Sequence, residues 1–498
     1  MSAPRGAGAP IAVLAFSLAA WSATGCTTGT RYVRPADPTQ TQYLPPAGAP
    51  LTGAPAAAAP HVTMGNGPPP HWWTLLGSAD IDGLVMRALQ NNQSLAAAKA
   101  HLAAAQEHLR AARGASYPQV DAAAGVQRTR FGATVLGPLA KDFPPFSAYT
   151  AGAEVSYDFD LFGGTKSRIE QTAAITQYRS AQLEAVGLTV SGNVVILALQ
   201  IGSLRAQIGV AEQIVAEDEH TLGLIRAARE AGAVSALDVL SAQSQLDHDR
   251  TLLPPLQQAR SAARDALAVL VGVTPADGPI SDVELDAITL ADDLPLAIPS
   301  ALVRRRPDIG AAEAQLHAAG ATVGVATANL YPKFTLTAGL GGEGLLSGGP
   351  SETAWNVLGG LTAPIFHGGA LKAEQRAARD EYQATFAAYQ QTVLNAFSQV
   401  ASALQALGND ADFLSAQQRA LDSAGASMAI TQQAYLAGNA GYLQVLDAER
   451  LHQQAQLGRV QAAGQRYIDV VELILAAGGR TEITPDYALG VSDPGSNP

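Results

Sequence analysis

The chain has 498 residues, a formal net charge of −12 and only 15% charged residues. An acidic surface of this kind excludes a nucleic-acid-binding protein, because phosphate selects basic patches. The one cysteine, Cys26, excludes an internal disulfide framework and cysteine-rich metal sites, and the length allows two or three ordinary domains.

Residues 1–25 read as an export signal. Arg5 precedes an apolar run from Ile11 to Trp21, and Ser22-Ala23-Thr24-Gly25 supply small residues before Cys26. The run is too short to span a bilayer as a stable helix. Ala23-Thr24-Gly25-Cys26 resembles a bacterial lipobox, with Ala23 where leucine is usual, so a covalent lipid on Cys26 is expected. No other cofactor and no metal is expected. A single lipid anchor of this kind holds a chain at a membrane surface without spanning it. Residues 26–70, rich in Pro, Ala, Gly and Thr and ending in Pro68-Pro69-Pro70, read as an extended or loosely docked tether. No stretch of the mature chain reaches 18 consecutive apolar residues, so no transmembrane helix is expected and any span must be a β-barrel.

The first half, 71–280, begins at His71-Trp72-Trp73. Asp80 is placed to cap a helix through Leu84-Val85-Met86, and an Ala-rich helix runs from about Ser94 to Ala115, stopping before Tyr117-Pro118. Between Pro118 and Leu161 the period becomes two. Val120, Ala122, Ala124 and Val126 alternate with polar or small residues, as do Tyr149, Ala151, Ala153, Val155, Tyr157 and Phe159. This pattern predicts two strands joined by the Gly/Pro-rich loop between them. After Gly163-Gly164 comes a proline-free stretch from Lys166 to Gly232. Its apolar stripe is Leu183, Val186, Val190, Val194, Leu197, Ile201, Leu204 and Ile208. A helix of that length would reach roughly 100 Å and must pack along its whole length, as in a coiled-coil rod or tunnel wall. Periodicity alone also allows a bundle of several shorter helices. Beyond Ala231-Gly232 a second helix runs from Ala236 to about Leu253. Pro254-Pro255 interrupts it, and a further helix covers Leu256–Val271.

Proline-rich coil, with a linker at 281–298, leads to the second half, 299–479. Arg304-Arg305-Arg306-Pro307-Asp308 opens it, and an Ala-rich helix follows to about Asn329. A strand over Phe334–Leu340 and another from about Trp355 to Phe366 come next. Gly368-Gly369 leads into a long helix from Lys372 to Gly438 with its own stripe, Tyr382, Phe386, Tyr389, Val393, Phe397, Val400, Leu404 and Leu407. After Gly441 a closing helix runs to about Ala477, and 480–498 read as a polar tail. The halves look like copies. Gly163-Gly164 is followed 205 residues later by Gly368-Gly369, and Ala231-Gly232 is followed 206 residues later by Ala437-Gly438. A repeat that keeps its turn glycines and helix lengths reads as a structural duplication.

About four strands per chain cannot close a membrane barrel, which needs at least about eight. Three chains would supply about twelve. The alternative is a small soluble sheet capping a helical bundle.

With these residues in order, the chain resembles the TolC-type outer-membrane efflux family, in its NodT/OprM-like lipoprotein branch. The resemblance is carried by Tyr32-Val33-Arg34-Pro35, Trp72-Trp73, Tyr157-Asp158-Phe159-Asp160-Leu161-Phe162-Gly163-Gly164 and Leu237-Asp238-Val239-Leu240. Arg305-Arg306-Pro307-Asp308-Ile309, Pro364-Ile365-Phe366-His367-Gly368-Gly369 and Val445-Leu446-Asp447-Ala448 add to it. It implies a homotrimer, an α+β membrane protein. A twelve-stranded β-barrel would sit in outer-membrane lipid, with an α-helical tunnel across the periplasm and a mixed equatorial region. It also implies an inner-membrane pump, of RND type, and a periplasmic membrane-fusion adaptor. The duct would be passive, since no phosphate-binding loop is present.

By that resemblance, gating belongs to the helix-hairpin tips at 232–241 and 438–447, between the turn glycines Gly232, Gly438 and Gly441. Rings of identical carboxylates can narrow a tunnel and attract cations, and Asp238 and Asp447 are the candidate ring residues. Gln444 stands where an aspartate can occur, and Ala440 replaces a residue acidic in some relatives. The plainer reading is that Asp238 and Asp447 merely face solvent or bond within their own hairpins. A protein-secretion duct or a periplasmic adaptor rod are the rival functions. Catalysis is not expected, because the nine histidines are scattered and no convergent set of acids, bases and nucleophiles accompanies them.

Overall fold

The computed structural model describes residues 32–36, 38–40, 42–44, 61–65, 67–130, 144–277, 282–290, 293–348 and 351–481. The export signal, Cys26, most of the first hairpin loop and the tail from 482 lie outside these residues.

Nine helices are found among the described residues: α1 (Ala79–Asn91), α2 (Gln93–Gly114), α3 (Gly164–Glu230), α4 (Ala236–Arg250), α5 (Leu253–Leu270), α6 (Pro299–Arg305), α7 (Pro307–Ala328), α8 (Ala370–Leu436) and α9 (Tyr442–Ala476). The strands are β1 (His61–Gly65), β2 (Gln119–Thr129), β3 (Phe146–Phe159), β4 (Asp293–Ala297), β5 (Lys333–Leu345) and β6 (Glu352–Thr362).

The long helices α3 and α8 are each 67 residues without a break. On α3 the predicted stripe faces inward: Leu183, Val190, Val194, Ile201, Leu204 and Ile208 are buried, with Val186 and Leu197 half-buried. The stripe on α8 is thinner. Tyr389, Val400 and Leu407 are buried, interleaved with Ala396, Ala403 and Ala411. The most apolar 18-residue window of α3 has a mean hydropathy of 1.7, enough by composition to cross a bilayer, but 56% of that window is buried inside the protein. That burial is what a core helix shows.

Contacts divide the chain into two compact units, and each draws on both sequence halves. One holds 103–178 and 312–389, and so contains β2, β3, β5 and β6. The other holds 36–102, 179–311 and 390–498.

In the first unit the four strands form one antiparallel sheet in the order β2-β3-β5-β6. Its register keeps the period-two pattern in line across every strand. One row reads Val120, Val155, Ala338, Val357, and the next reads Asp121, Glu154, Gly339, Asn356. One face is therefore apolar and the other polar. The apolar face is open: Val120, Val126, Trp355, Val357 and Leu361 are each more than 60% exposed. Within the described residues β2 and β6 each pair on one side only.

The second unit holds the main core. Trp72, Trp73 and Leu76 form a buried 3-10 turn, with the indoles edge to face at 5.9 Å. The cap of α1 is Ser78, whose Oγ accepts from the Ile81 N–H at 3.4 Å, and not Asp80. Asp80 already lies inside the first turn, where its charge meets the positive end of the helix dipole. The predicted break at Pro254-Pro255 falls at the start of α5, whose first turn tolerates proline.

The tether and the linker, read as coil, carry a pair of strands. β1 and β4 run parallel, from His61 opposite Asp293 to Gly65 opposite Ala297, and the Tyr43 hydroxyl donates to the Ala297 carbonyl at 2.6 Å. Leu294, Leu296 and Ala297 are buried, whereas β1 is mostly exposed. β1 is held by backbone pairing, so its side chains leave no periodic trace.

The Arg305-Arg306-Pro307-Asp308 motif has a structural role in this unit. The buried Arg306 guanidinium donates to both Asp308 oxygens at 3.0 and 2.7 Å, to Gln399 Oε1 at 2.7 Å and to the Ala476 carbonyl at 3.0 Å. It ties the start of α7 to α8 and to the end of α9.

Candidate functional site

The two helical hairpins end in nearly identical turns. α3 stops at Gly232, whose φ is 75°, and α8 stops at Gly438, with φ 74°. At the first end, Gly232 N donates to the Arg229 carbonyl at 2.8 Å and Ala233 N to the Ala228 carbonyl at 2.9 Å. At the second, Gly438 N donates to the Tyr435 carbonyl at 2.9 Å and Asn439 N to the Ala434 carbonyl at 2.8 Å. This is a glycine-terminated helix end at both places.

The next helix starts differently at each end. In the first hairpin Ser235 caps α4. Its Oγ accepts from Asp238 N at 3.2 Å, while Asp238 Oδ2 accepts from Ser235 N and from the Ser235 hydroxyl, both at 2.8 Å. In the second, Gly441 has no side chain to offer, and only Gln444 Oε1 reaches back, accepting from Gly441 N at 3.1 Å. Asp238 and Gln444 thus hold the same capping position with different charge. Asp447 is exposed and pairs with Arg450 at 2.6 Å. In the single chain both candidate ring carboxylates are bonded within their own hairpins. Leu237, Leu240 and Leu443 stand exposed beside them.

Below the turns the hairpins pack on each other. Leu222, Ile225, Ala242 and Leu246 of the first meet Tyr442 and Val445 of the second, and the Tyr435 and Tyr442 rings lie 5.9 Å apart.

At the strand-to-helix turns, Gly163 has φ 77°, whereas Gly368 and Gly369 are both left-handed, at 59° and 83°. The second turn spends one more such residue before its helix starts. Asp160 caps α3 through bonds from Thr165 N at 3.0 Å and Lys166 N at 2.7 Å. Gly164 itself is the first residue of α3.

Sequence reasoning missed two carboxylate pairs, one buried and one with a half-buried member, Asp410. Asp218 of α3 lies against Asp249 of α4, and both are buried. Burial first, then the hydrogen bond and negative charge of Asp249, push Asp218 up to about 8. Asp410 of α8 lies against Asp469 of α9 and, for the same two reasons, is pushed up to about 7. A signal existed: Asp218 falls on the stripe Ala211, Ile214, Leu222 and Ile225, all of them buried.

The family model described as outer membrane efflux protein matches residues 84–273 and 298–479. The chain belongs to this family. The outer-membrane efflux protein is 31% identical over 418 residues to the pyoverdine export outer membrane protein OpmQ of Pseudomonas aeruginosa, covering 82% of this chain and 87% of OpmQ. It is 27% identical to the probable outer membrane lipoprotein SilC of Salmonella typhimurium, covering 82% of this chain and 87% of SilC. Among solved structures, the outer-membrane channel OprN superposes with a TM-score of 0.81 at 26% identity, over 91% of this chain and 99% of that one. The efflux protein is thus of the TolC-like, NodT/OprM type and resides in the outer membrane, where it is the exit duct of an efflux system.

Proposed function

We propose that three copies of this chain close a twelve-stranded barrel, continued by a tunnel of long helices, and that small molecules pass through it passively. An inner-membrane pump of RND type and a periplasmic membrane-fusion adaptor would deliver them. The observation that carries this reading is the four-stranded sheet: one apolar face open and two edge strands of 11 residues each, β2 and β6, paired on one side only. An open apolar face suits lipid, and unpaired edges in lipid need partners. Four strands fall short of the roughly eight that a membrane barrel requires, and a second and third copy make up the difference. Segments 71–280 and 299–479 act as two copies of one unit, each supplying two strands and one long helix. Cys26 carries a lipid, in keeping with the naming of SilC as a lipoprotein. That the cargo is small is supported by OpmQ, named for pyoverdine export.

Extraction in mild detergent tests the assembly. The expected particle has the mass of three chains and, in negative stain, is long and narrow with a barrel at one end. A soluble monomer would refute it. Asp238 and Asp447 are assigned to the periplasmic constriction, with Gln444 lowering its charge. The double variant Asp238→Ala/Asp447→Ala should raise single-channel conductance in planar bilayers and weaken cation preference. Unchanged conductance and selectivity would sink the constriction.

A further inference from the structure

The two halves, taken above as copies of one unit, have matching geometry around the sheet. Before β2 the N–H groups of Ala115, Ser116 and Tyr117 donate to the carbonyls of Ala111, Arg113 and Gly114. The same three bonds recur 214 residues on, before β5, from Asn329, Leu330 and Tyr331 to Val325, Thr327 and Ala328. After β3 and β6 the spacing is 206. Gly163 and Gly369 share a left-handed φ, 77° and 83°, and α3 and α8 begin at Gly164 and Ala370. The paired glycines stand one residue closer than this in sequence, and the additional left-handed residue, Gly368, makes the difference. The hairpins obey the same two spacings. Val120 faces Val155 in the first, and Phe334 faces Leu361 in the second. Ala124 faces Ala151 in the first, and Ala338 faces Val357 in the second. The two hairpins therefore have one register, residue for residue.

Within the chain the hairpins meet where β3 lies against β5. There Phe159 faces Phe334, Val155 faces Ala338, Ala153 faces Leu340 and Ala151 faces Gly342. The outer edges of β2 and β6 have no such neighbour among the described residues. They carry uncovered apolar side chains: Val120 and Val126 on β2, Val357 and Leu361 on β6. Three residues past the end of β6, Ile365 is 91% exposed, the highest value for a large apolar side chain among the described residues.

We propose that β6 of one copy pairs with β2 of the next copy in the register already used between β3 and β5, carried over by the two spacings. Leu361 then faces Ala124 of the next copy, Gly359 faces its Val126, Val357 faces its Arg128, and Ile365 comes to lie beside its Val120. The junction rests on the trimeric reading for its existence and goes beyond it by fixing which residues meet. Three features favour this register. It keeps the antiparallel alternation of the four strands. It keeps the faces in line, since Leu361, Ala124 and Val126 share the apolar face, and a slip of one residue would turn that face against the polar one. On the polar face it sets Thr362 opposite Ala123, Gly360 opposite Gly125 and Leu358 opposite Gln127, so no like charges are opposed. The exposed Ile365 and Val120 cover each other, as Phe159 and Phe334 do inside the chain.

The test is disulfide cross-linking of the full-length protein in its own membranes, where Cys26 is the only natural cysteine. Leu361→Cys combined with Ala124→Cys should, on oxidation, convert the single-chain band of a denaturing gel into dimers and closed trimers. Facing residues lie about 4.5–5.5 Å apart at Cα, within the range of about 4.4–6.8 Å that a disulfide spans. Leu361→Cys with Ala122→Cys, and Leu361→Cys with Val126→Cys, are displaced by two residues, about 7 Å along the strand, and should stay as single chains. Val155→Cys with Ala338→Cys should close within one chain without a change of mass, which controls for oxidation at this depth. Each cysteine alone controls for Cys26. Gly359→Cys with Val126→Cys samples the same register at a second place, so a first pair that disturbs assembly does not decide the matter. Stronger cross-linking in a displaced pair overturns the register. So does no cross-linking in either registered pair while the internal pair closes and the particle keeps the mass of three chains; the duct then stands. A particle of one chain would sink the duct and the junction together.

Discussion

The two hairpin ends share a backbone and differ in chemistry. Both stop a 67-residue helix on a left-handed glycine, and the same two hydrogen bonds close each turn. The first then starts its return helix with a serine and an aspartate locked in a reciprocal cap, while the second makes do with Gln444 alone. The turn is set by backbone geometry, so any other residue there carries the strain of a left-handed φ. The cap is set by side chains, so its charge can vary while the hairpin keeps its shape.

Glycine replacement is the strongest way to break this comparison. A Cβ at Gly232 or Gly438 would meet nothing within 4 Å, so alanine at either costs backbone strain alone, about 1–2 kcal/mol. Thermal unfolding in detergent should show equal losses for Gly232→Ala and Gly438→Ala, and unequal losses would mean the turns are not equivalent. Cap replacement comes next. Ser235→Ala should cost about 1 kcal/mol, whereas Gly441→Ala, with no cap side chain to lose, should cost less. Equal effects would break the claim that only the first end is side-chain capped. Smallest is Arg450→Ala. The Asp447–Arg450 pair is more than half exposed on both sides, and its removal should change stability by less than about 0.5 kcal/mol. A larger loss in the same melt would show that Asp447 has a structural role its exposure does not suggest.

Elements with a local period were legible in the sequence. Both long helices lie within two residues of their expected bounds, because apolar spacing and the terminal glycines are properties of the segment itself. The strands of the large sheet were legible for the same reason, although β6 ends at Thr362 rather than near Phe366; Pro364 cannot donate to a ladder. Ser78 was overlooked as a cap because Asp80, a residue of the same kind, stood two positions on. The β1–β4 pairing was illegible, since neither segment is periodic enough to announce a partner more than two hundred residues away. The pairing of Asp218 with Asp249 depends on how two helices meet, and no spacing along one chain encodes that. At the candidate gate the glycine positions were readable, but Ser235 as the capping partner of Asp238 was not, because a cap depends on how the chain enters the helix.

The β1–β4 pair also has a history in time. His61 finds its partner Asp293 only after the intervening chain, with the whole of α3, has emerged. Contacts between segments so distant in sequence form slowly, because a large loop must be closed before any bond rewards it. β1 is therefore made well before the strand it must pair with, and is among the last parts of the fold to find its place.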